Sequence, residues 1–439
     1  MSEFTYPARL EIVPLSKPAA ASMTVPGSKS ITNRALVLAA LSIRSSPFRV
    51  SGCLRSEDTE VMINCLRRLG FRVQEEWDSA DPSVTIDADE APPLIPARSA
   101  DLFVGNSGTT IRFLTAMVSL GEGTYRLDGV PRMRERPIGD LLRVLRQLGV
   151  DAYSERDNDF PPVVVNANGL RGGTVRVKAD VSSQFLSGLM LAAPFARGDT
   201  VLEVDGPAVS EPYIEMTIGV LQRFGLSVAA IAPGRYHIPG GQWHGLSHYH
   251  IEPDASSASY FFAAAAITGG RVTVANLTPR SLQGDVLFVD VLQDMGCVVA
   301  RGYEDSDGIT VHGGPLRGID VDMNAISDTV MTLGAVACFA DGPTTIRNVG
   351  HIRHKETDRI AALATELRKL GAEVEEFEDG LRITPRPLTG CAVDTYNDHR
   401  MAMSLALVGL KVPGVVVNDP GCVAKTYPGF WQDLERLRA

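Results

Sequence analysis

Long apolar runs are missing from this sequence. The longest, "YFFAAAAI" from Tyr260 and "LGAVACFA" from Leu333, fall far short of the roughly 18 residues a membrane-spanning helix needs. The opening stretch "MSEFTYPARLEIVPL" has no positive start leading into an apolar segment, so no secretory signal and a cytoplasmic protein are expected. Positive charge is also scarce. With 42 Lys and Arg against 52 Asp and Glu, the net charge is -10. That argues against nucleic acid, whose phosphates call for a positive surface, but it allows a local basic cleft for a small anion. The six cysteines include no C-x-x-C pair, which points to reduced core thiols and not to a disulfide framework or a zinc knuckle. His244, His248 and His250 in "QWHGLSHYHIE" have irregular spacing and no cysteine beside them, so they read as a surface strand and no metal is expected. No G-x-G-x-x-G fingerprint occurs, which leaves a dinucleotide cofactor without a site. No cofactor of any kind is implied.

What the sequence does hold is a repeat. "CLRRLGFRV" from Cys65 recurs as "VLRQLGVDA" from Val144, "VLQRFGLSV" from Val220, "VLQDMGCVV" from Val291 and "ELRKLGAEV" from Glu366. Each is a helix end followed by a glycine (Gly70, Gly149, Gly225, Gly296, Gly371) placed for a left-handed C-cap. A short β-rich run, a turn and a second strand such as "RYHIPG", "DGITVHG" or "GLRITP" follow. The unit of roughly 70 to 80 residues is too long for a solenoid repeat and fits a small α/β subdomain used several times. A sixth copy is due where "FWQDLERLRA" ends the sequence. Its missing strands are expected from "ARLEIVP" and "ASMTVPG" near the N-terminus. The expected architecture is therefore two domains of three units each. One covers residues 26–251, and the other covers residues 1–25 with 252–439, closed by the N-terminal strands. Prolines at both crossings suit hinges, and ligands favour clefts at domain interfaces.

Helix starts carry the candidate chemistry. "TVPGSKSITNRALVLAAL" puts Ser28, Lys29 and Ser30 before an apolar helix, with Arg34 one turn beyond Ser30 on the same face. Free N–H groups and the helix dipole favour an anion there, although a plain N-cap by Ser28 or Ser30 also fits. It is not a Walker loop, because the earlier glycine is absent. "LFVGNSGTTIRFLTAM" repeats the design, with Gly105 and Gly108 letting a ligand approach the backbone. In "DGVPRMRERPIGDLL", Arg132, Arg134 and Arg136 alternate, and an extended segment would put all three guanidiniums on one side. "KADVSSQFLSGLMLAAP" brings Ser182, Ser183 and Gln184 to a helix start that suits a phosphate monoester or an ordinary cap. In the second half Asp254 reads most simply as an N-cap. Asp328 is either an N-cap or a buried carboxylate whose pKa rises toward that of a base. Asp398, His399 and Arg400 lead into another apolar helix, and Lys425 follows.

Taken together, "PGSKSITNRAL", "GNSGTTIRFL", "PRMRERPI", "SSQFLSGL", "DASSASYFFAAAA", "HKETDRI", "NDHRMAM" and "AKTYPGFW" resemble, in order and over nearly the whole sequence, the 5-enolpyruvylshikimate-3-phosphate synthase family of enolpyruvyl transferases. The resemblance implies an α/β fold of two similar domains, each of three βαβαββ units in an inside-out barrel. It implies transfer of the enolpyruvyl group of phosphoenolpyruvate to the 5-hydroxyl of shikimate 3-phosphate, in a family that glyphosate targets. It implies a monomer without nucleic-acid or membrane partners, with the 26–251 domain on the shikimate 3-phosphate side. Phosphoenolpyruvate would meet Lys29, Gly108, Arg132, Gln184, Arg359, Arg400 and Lys425. Shikimate 3-phosphate would meet Lys29, Ser30, Arg34, Ser182, Ser183, Gln184, Ser210, Asp328 and Lys355. Lys29, Asp328, Glu356 and Lys425 would be catalytic, the two carboxylates as proton-transfer groups. The sequence departs from the family at His351, where Asn is common, and at His354, where an aliphatic is common. The related UDP-N-acetylglucosamine enolpyruvyl transferases normally have a reactive loop cysteine, and "PRMRERP" has none. A non-catalytic anion binder of this fold would not need carboxylates among its phosphate ligands.

The stretch "GHIRHKETDRIAAL" is the densest in charge, with His351, Arg353, His354, Lys355, Glu356, Asp358 and Arg359 in nine positions. Read as helix, it places Lys355 and Arg359 on one face and Glu356 about 100° around from Lys355. The two cations would then face two anionic substrates, with Glu356 between them.

Overall fold

A computed structural model describes residues 4–43, 46–87, 93–178, 182–206, 210–302 and 308–438. The chain forms two compact units, one of residues 27–251 and one of residues 1–26 with 252–439. Both are built from a single motif. In the clearest copy, Ser99–Phe103 runs parallel to Glu122–Asp128, which is antiparallel to Val163–Asn168, itself antiparallel to Asp151–Ser154. The helices Gly108–Val118 and Gly139–Gln147 make the connections, giving the order βαβαββ. The same four-strand arrangement recurs with Gly173–Lys178, Thr200–Asp205, Arg235–Ile238 and Ala229–Ala232, and again with Asp320–Asp322, Thr344–Arg347, Gly380–Thr384 and Glu373–Phe377. The described residues form six sheets in all.

The repeated glycines do what their position in the sequence implies. Gly70, Gly149, Gly225, Gly296 and Gly371 have φ of 93°, 84°, 77°, 112° and 106°. At the first of them, the Gly70 N–H donates to the Arg67 carbonyl and the Phe71 N–H to the Leu66 carbonyl. That is the Schellman pairing, which satisfies two carbonyls at the helix end. The same pair of bonds closes the helix at each of the other four glycines.

The N-terminal strands divide in a way the sequence reading did not foresee. Arg9–Ile12 completes the sixth sheet, antiparallel to Val415–Asn418, which runs parallel to Ala392–Val393. Ala20–Met23 does not join it, and instead lies parallel to Arg271–Val274 as the first strand of the fourth copy. The strand that precedes that copy in sequence, His248–His250, pairs with Phe48–Ser51 in the 27–251 unit. Each crossing therefore separates a first strand from its own helix, and the two copies exchange first strands. Side-chain packing fixes each exchanged strand in its place: Met23 is buried in the core of its unit, and Tyr249 stacks on Phe224 with ring centroids 4.8 Å apart.

The first helix of each copy is buried on every side. All residues of Gly108–Val118, Val330–Ala337 and His399–Gly409 are buried. Lys29–Ser42, Gly108–Val118 and Ser183–Ala192 pack on one another within one unit, and Ala255–Thr268, Val330–Ala337 and His399–Gly409 do so in the other. A helix apolar all round has no solvated face and belongs in the middle of its unit. Close approach calls for small residues: a Cβ on Gly188 would lie 2.9 Å from the Arg112 carbonyl oxygen. All six cysteines are free, and burial pushes the Cys53 and Cys65 thiols up to about 12. Among the described residues no helix is long and apolar enough to cross a membrane.

Candidate active site

Because the central helices are buried, their N-termini need internal partners for the first-turn N–H groups. Ser28, Ser107, Ser182, Asp254 and Asp398 supply them, each accepting from a backbone N–H of the first turn. Capping thus explains Ser182 and Asp254 directly. It does not explain Asp328, which lies in the 3-10 turn Asn324–Thr329, one residue before Thr329 at the N-cap of the helix Val330–Ala337.

In the unit formed by residues 1–26 and 252–439, Asp328 belongs to a buried ionic network. It accepts from Arg359 Nη1 at 3.0 Å and from Arg400 Nη2 at 2.7 Å. Glu356 accepts from Arg359 Nη2 at 2.9 Å and pairs with Lys425 Nζ at 3.0 Å. Asp398 accepts from Arg359 Nε at 2.8 Å and from the Arg400 backbone N–H at 2.9 Å. Burial works against the Arg359 charge, but Asp398, Glu356 and Asp328 outweigh it and hold the guanidinium above its ordinary range. The network combines cations with helix N-termini, both of which favour anions. Asp328 and Glu356 each bridge two cations and serve as their counter-charges.

Ser256 and Asp285 were not singled out as site residues by the sequence reading, and His399 entered it only as part of a helix start. The Ser256 hydroxyl bonds Asp285 and lies 3.5 Å from Arg400 Nη2. Burial, with Asp328 nearby, raises the Asp285 carboxyl to about 6 against the pull of Arg400. His399 is buried, and neither ring nitrogen has a hydrogen-bond partner among the described residues. Burial, then the Arg400 charge, keeps it neutral. Asp285 gave no motif signal, because a lone Asp in "SLQGDVLF" resembles many turns.

The charged stretch 350–363 is not one helix. Gly350–His354 is a 3-10 turn, Lys355 is extended with φ -86° and ψ -150°, and the α-helix starts only at Arg359, capped by Asp358. The helical reading of Lys355, Glu356 and Arg359 is therefore corrected: an Asp N-cap ends the irregular segment and starts the helix after it. Glu356 meets Arg359, while half-buried Lys355 acts on His351 through its charge. His354 is exposed. His351 is buried and shares a 2.9 Å hydrogen bond with Ser327, next to Asp328. Burial, then the charge of Lys355, lowers His351 to about 3 despite Asp328. A histidine depressed from 6.5 to about 3 on folding stabilises the fold above pH 6.5, and that stability is lost as pH falls through the window toward 3. His351→Asn is expected to flatten the fall of the thermal midpoint across pH 6.5 to 4. Parallel wild-type and variant curves would refute this.

In the 27–251 unit, Lys29 opens its helix and pairs with the buried Asp58 at 3.3 Å. Arg34 is 1 % exposed and bonds the Ser30 carbonyl at 2.9 Å. Its other partners are Thr217 Oγ1, Ser187 Oγ and the Tyr213 carbonyl, and it lies 5.1 Å from the Phe113 ring centroid. Burial lowers its pKa to about 10, so it stays charged at neutral pH. Among the described residues no carboxylate accepts from it. A buried cation without a counter-anion is costly until an anion arrives. Gly108 begins its helix, and a Cβ there would lie 2.5 Å from Arg136 Nη2 and 3.0 Å from Arg112 Nη1. Ser183 is buried and Gln184 half-buried at a third helix start. Ser210 holds a left-handed φ of 53° ahead of the helix Pro212–Arg223, which carries Thr217. Such a conformation in a non-glycine residue stores strain and recurs at functional sites.

Two expectations fail here. Arg132, Arg134 and Arg136 do not share a face, because Pro131–Glu135 is a 3-10 turn with proline at its start. Arg132 pairs with Glu135 at 2.8 Å, Arg134 binds Asp128, and the buried Arg136 bonds the Asn106 carbonyl. His244 is not on a surface strand. It is buried against Phe48 and Phe224, and its Nε2 bonds Ser42 at 2.5 Å. His248 and His250 are exposed. Among the described residues no group of His, Cys, Asp or Glu could hold a metal ion.

Repeated βαβαββ units whose central helices start among clustered cations define an α/β protein fitted to bind small anions. The chain matches EPSP synthase (3-phosphoshikimate 1-carboxyvinyltransferase) over residues 14–434. It is 51% identical over 433 residues to a 3-phosphoshikimate 1-carboxyvinyltransferase of Nostoc punctiforme, covering 97% of this chain and 99% of that one. It is 46% identical to the Arabidopsis thaliana protein described as chloroplastic, over 94% of this chain and 81% of that one. The solved EPSP synthase of Acinetobacter baumannii superimposes with a TM-score of 0.81 at 25% identity, over 98% of each chain. The chain belongs to the EPSP synthase family.

Proposed function

We propose that the chain transfers the enolpyruvyl group of phosphoenolpyruvate to the 5-hydroxyl of shikimate 3-phosphate and releases phosphate, a step of aromatic amino-acid biosynthesis. The observation that carries the reading is identity of about half the residues with a 3-phosphoshikimate 1-carboxyvinyltransferase over nearly the full length.

The chemistry follows from the charges. Two multiply charged anions must approach each other, so cations are needed to offset their repulsion. In the 27–251 unit, we assign Lys29, Gly108, Arg132 and Gln184 to phosphoenolpyruvate. Lys29, Ser30, Arg34, Ser182, Ser183, Gln184 and Ser210 are assigned to shikimate 3-phosphate. In the other unit, Arg359, Arg400 and Lys425 are assigned to phosphoenolpyruvate, and Asp328 and Lys355 to shikimate 3-phosphate. Protonation of the methylene carbon makes the neighbouring carbon cation-like. The 5-hydroxyl attacks that carbon, a base takes the hydroxyl proton, phosphate leaves, and a proton lost from the new methyl group restores the double bond. Asp328 and Glu356 are the proton-transfer candidates. Their ion pairs supply a reason: an incoming anion that takes over Arg359, Arg400 or Lys425 frees a carboxylate for proton transfer. Monomeric state and a cytoplasmic location belong to the same proposal and rest on family resemblance.

Phosphate release is expected only when phosphoenolpyruvate and shikimate 3-phosphate are both present. No release with both present would sink the assignment, and release with UDP-N-acetylglucosamine as acceptor would move the chain to the related transferases.

A further inference from the structure

We propose that Thr217, with Ser187, is the positioning residue of the shikimate 3-phosphate subsite, acting through Arg34. The inference rests on the assignment of Arg34 to that ligand and adds two residues to which neither the motifs nor the comparisons give a role.

A guanidinium has five N–H donors. In Arg34, Nε donates to Thr217 Oγ1 at 2.8 Å, one Nη1 hydrogen goes to the Ser30 carbonyl at 2.9 Å, and Nη2 reaches Ser187 Oγ and the Tyr213 carbonyl at 3.2 Å each. Among the described residues this accounts for four donors and leaves one, on Nη1, beside Ser30. The cage thus selects which edge of the guanidinium remains for an anion.

Thr217 holds the key place in the cage. Its hydroxyl lies 2.8 Å from the Tyr213 carbonyl and 2.9 Å from Ser187 Oγ. A hydroxyl has one hydrogen. Spent on the Tyr213 carbonyl one helical turn back, it turns the oxygen's lone pairs toward Arg34 Nε. Thr217 and Ser187 are both 0 % exposed, so bulk water does not compete for these bonds. The Phe113 ring below the guanidinium limits its tilt and carries no hydrogen-bond acceptor. All of these contacts are neutral. The Arg34 charge is therefore oriented without being cancelled, unlike that of Arg359, which is held by three carboxylates.

The test compares Thr217→Val, which keeps the shape and removes the acceptor, with Thr217→Ser, which restores it. Thr217→Val is expected to raise the KM for shikimate 3-phosphate about tenfold, as loss of a charged hydrogen bond does. The KM for phosphoenolpyruvate should stay within about twofold, and Thr217→Ser should recover most of the loss. Ser187→Ala should weaken the same ligand by about threefold, and it keeps the idea testable if Thr217→Val does not fold. Calorimetric titration of wild type and variants with shikimate 3-phosphate reads affinity without turnover. Wild type that binds this ligand but does not turn over would overturn the proposed reaction and leave this inference standing on the titrations. Wild type that does not bind it would overturn both. An unchanged KM, equal rises for both substrates, or no recovery in Thr217→Ser would overturn the positioning role.

Discussion

Arg359→Ala is expected to abolish measurable turnover and to destabilise the unit of residues 1–26 and 252–439 by about 3–5 kcal/mol, the usual result of removing one partner from a buried ionic cluster. The Arg359 side chain is 2% exposed and lies within 3.0 Å of three carboxylates, those of Asp328, Glu356 and Asp398. Without it, Asp398 keeps the bond from the Arg400 backbone N–H, but Asp328 and Glu356 each lose a cation. Arg359→Lys should rescue little, because an ammonium cannot reproduce a planar fork that meets three acceptors at once. Urea denaturation with a probe in this unit reads the stability, and steady-state phosphate release reads the activity. An unshifted denaturation midpoint in Arg359→Ala would show that the network contributes nothing to the fold.

Asp328→Asn should act on rate and spare the fold. The amide keeps one oxygen acceptor and nearly the same shape, but it cannot take a proton. The expected fall in kcat is about 10²- to 10⁴-fold, the usual contribution of a general acid or base. The thermal midpoint should move far less than in Arg359→Ala, since Arg359 retains Glu356 and Asp398. If kcat stays within tenfold of wild type, Asp328 is not a proton-transfer group, and Glu356 is the carboxylate left to carry that step. If kcat and the midpoint collapse together, Asp328 serves the network and not the chemistry.

Legibility in the sequence followed the range of the interaction. The helix ends at Gly70, Gly149, Gly225, Gly296 and Gly371 could be read because a left-handed cap involves only a few consecutive residues. The cap at Asp254 was legible for the same reason. The 350–363 stretch was misread because charge density says nothing of backbone path: Asp358 starts the helix, so the residues before it cannot share a helical face with Arg359. The arginines of "PRMRERP" failed likewise, since Pro131 favours a tight turn over an extended run. Thr217 and Ser187 were missed because a hydroxyl within an apolar helix gives no signal until its buried partner is known.

The sequence by itself determined the repeat, the number of its copies, the caps at the helix ends and the family, because each depends on residue order or on contacts within a turn. Only the tertiary structure decided which first strand serves which copy and which carboxylate holds which cation. Asp328 meets Arg359 across 31 residues and Arg400 across 72, and Arg34 meets Thr217 across 183. No local rule carries such pairings. They are set when buried helices pack and each buried charge and hydroxyl takes the partner that packing brings within reach.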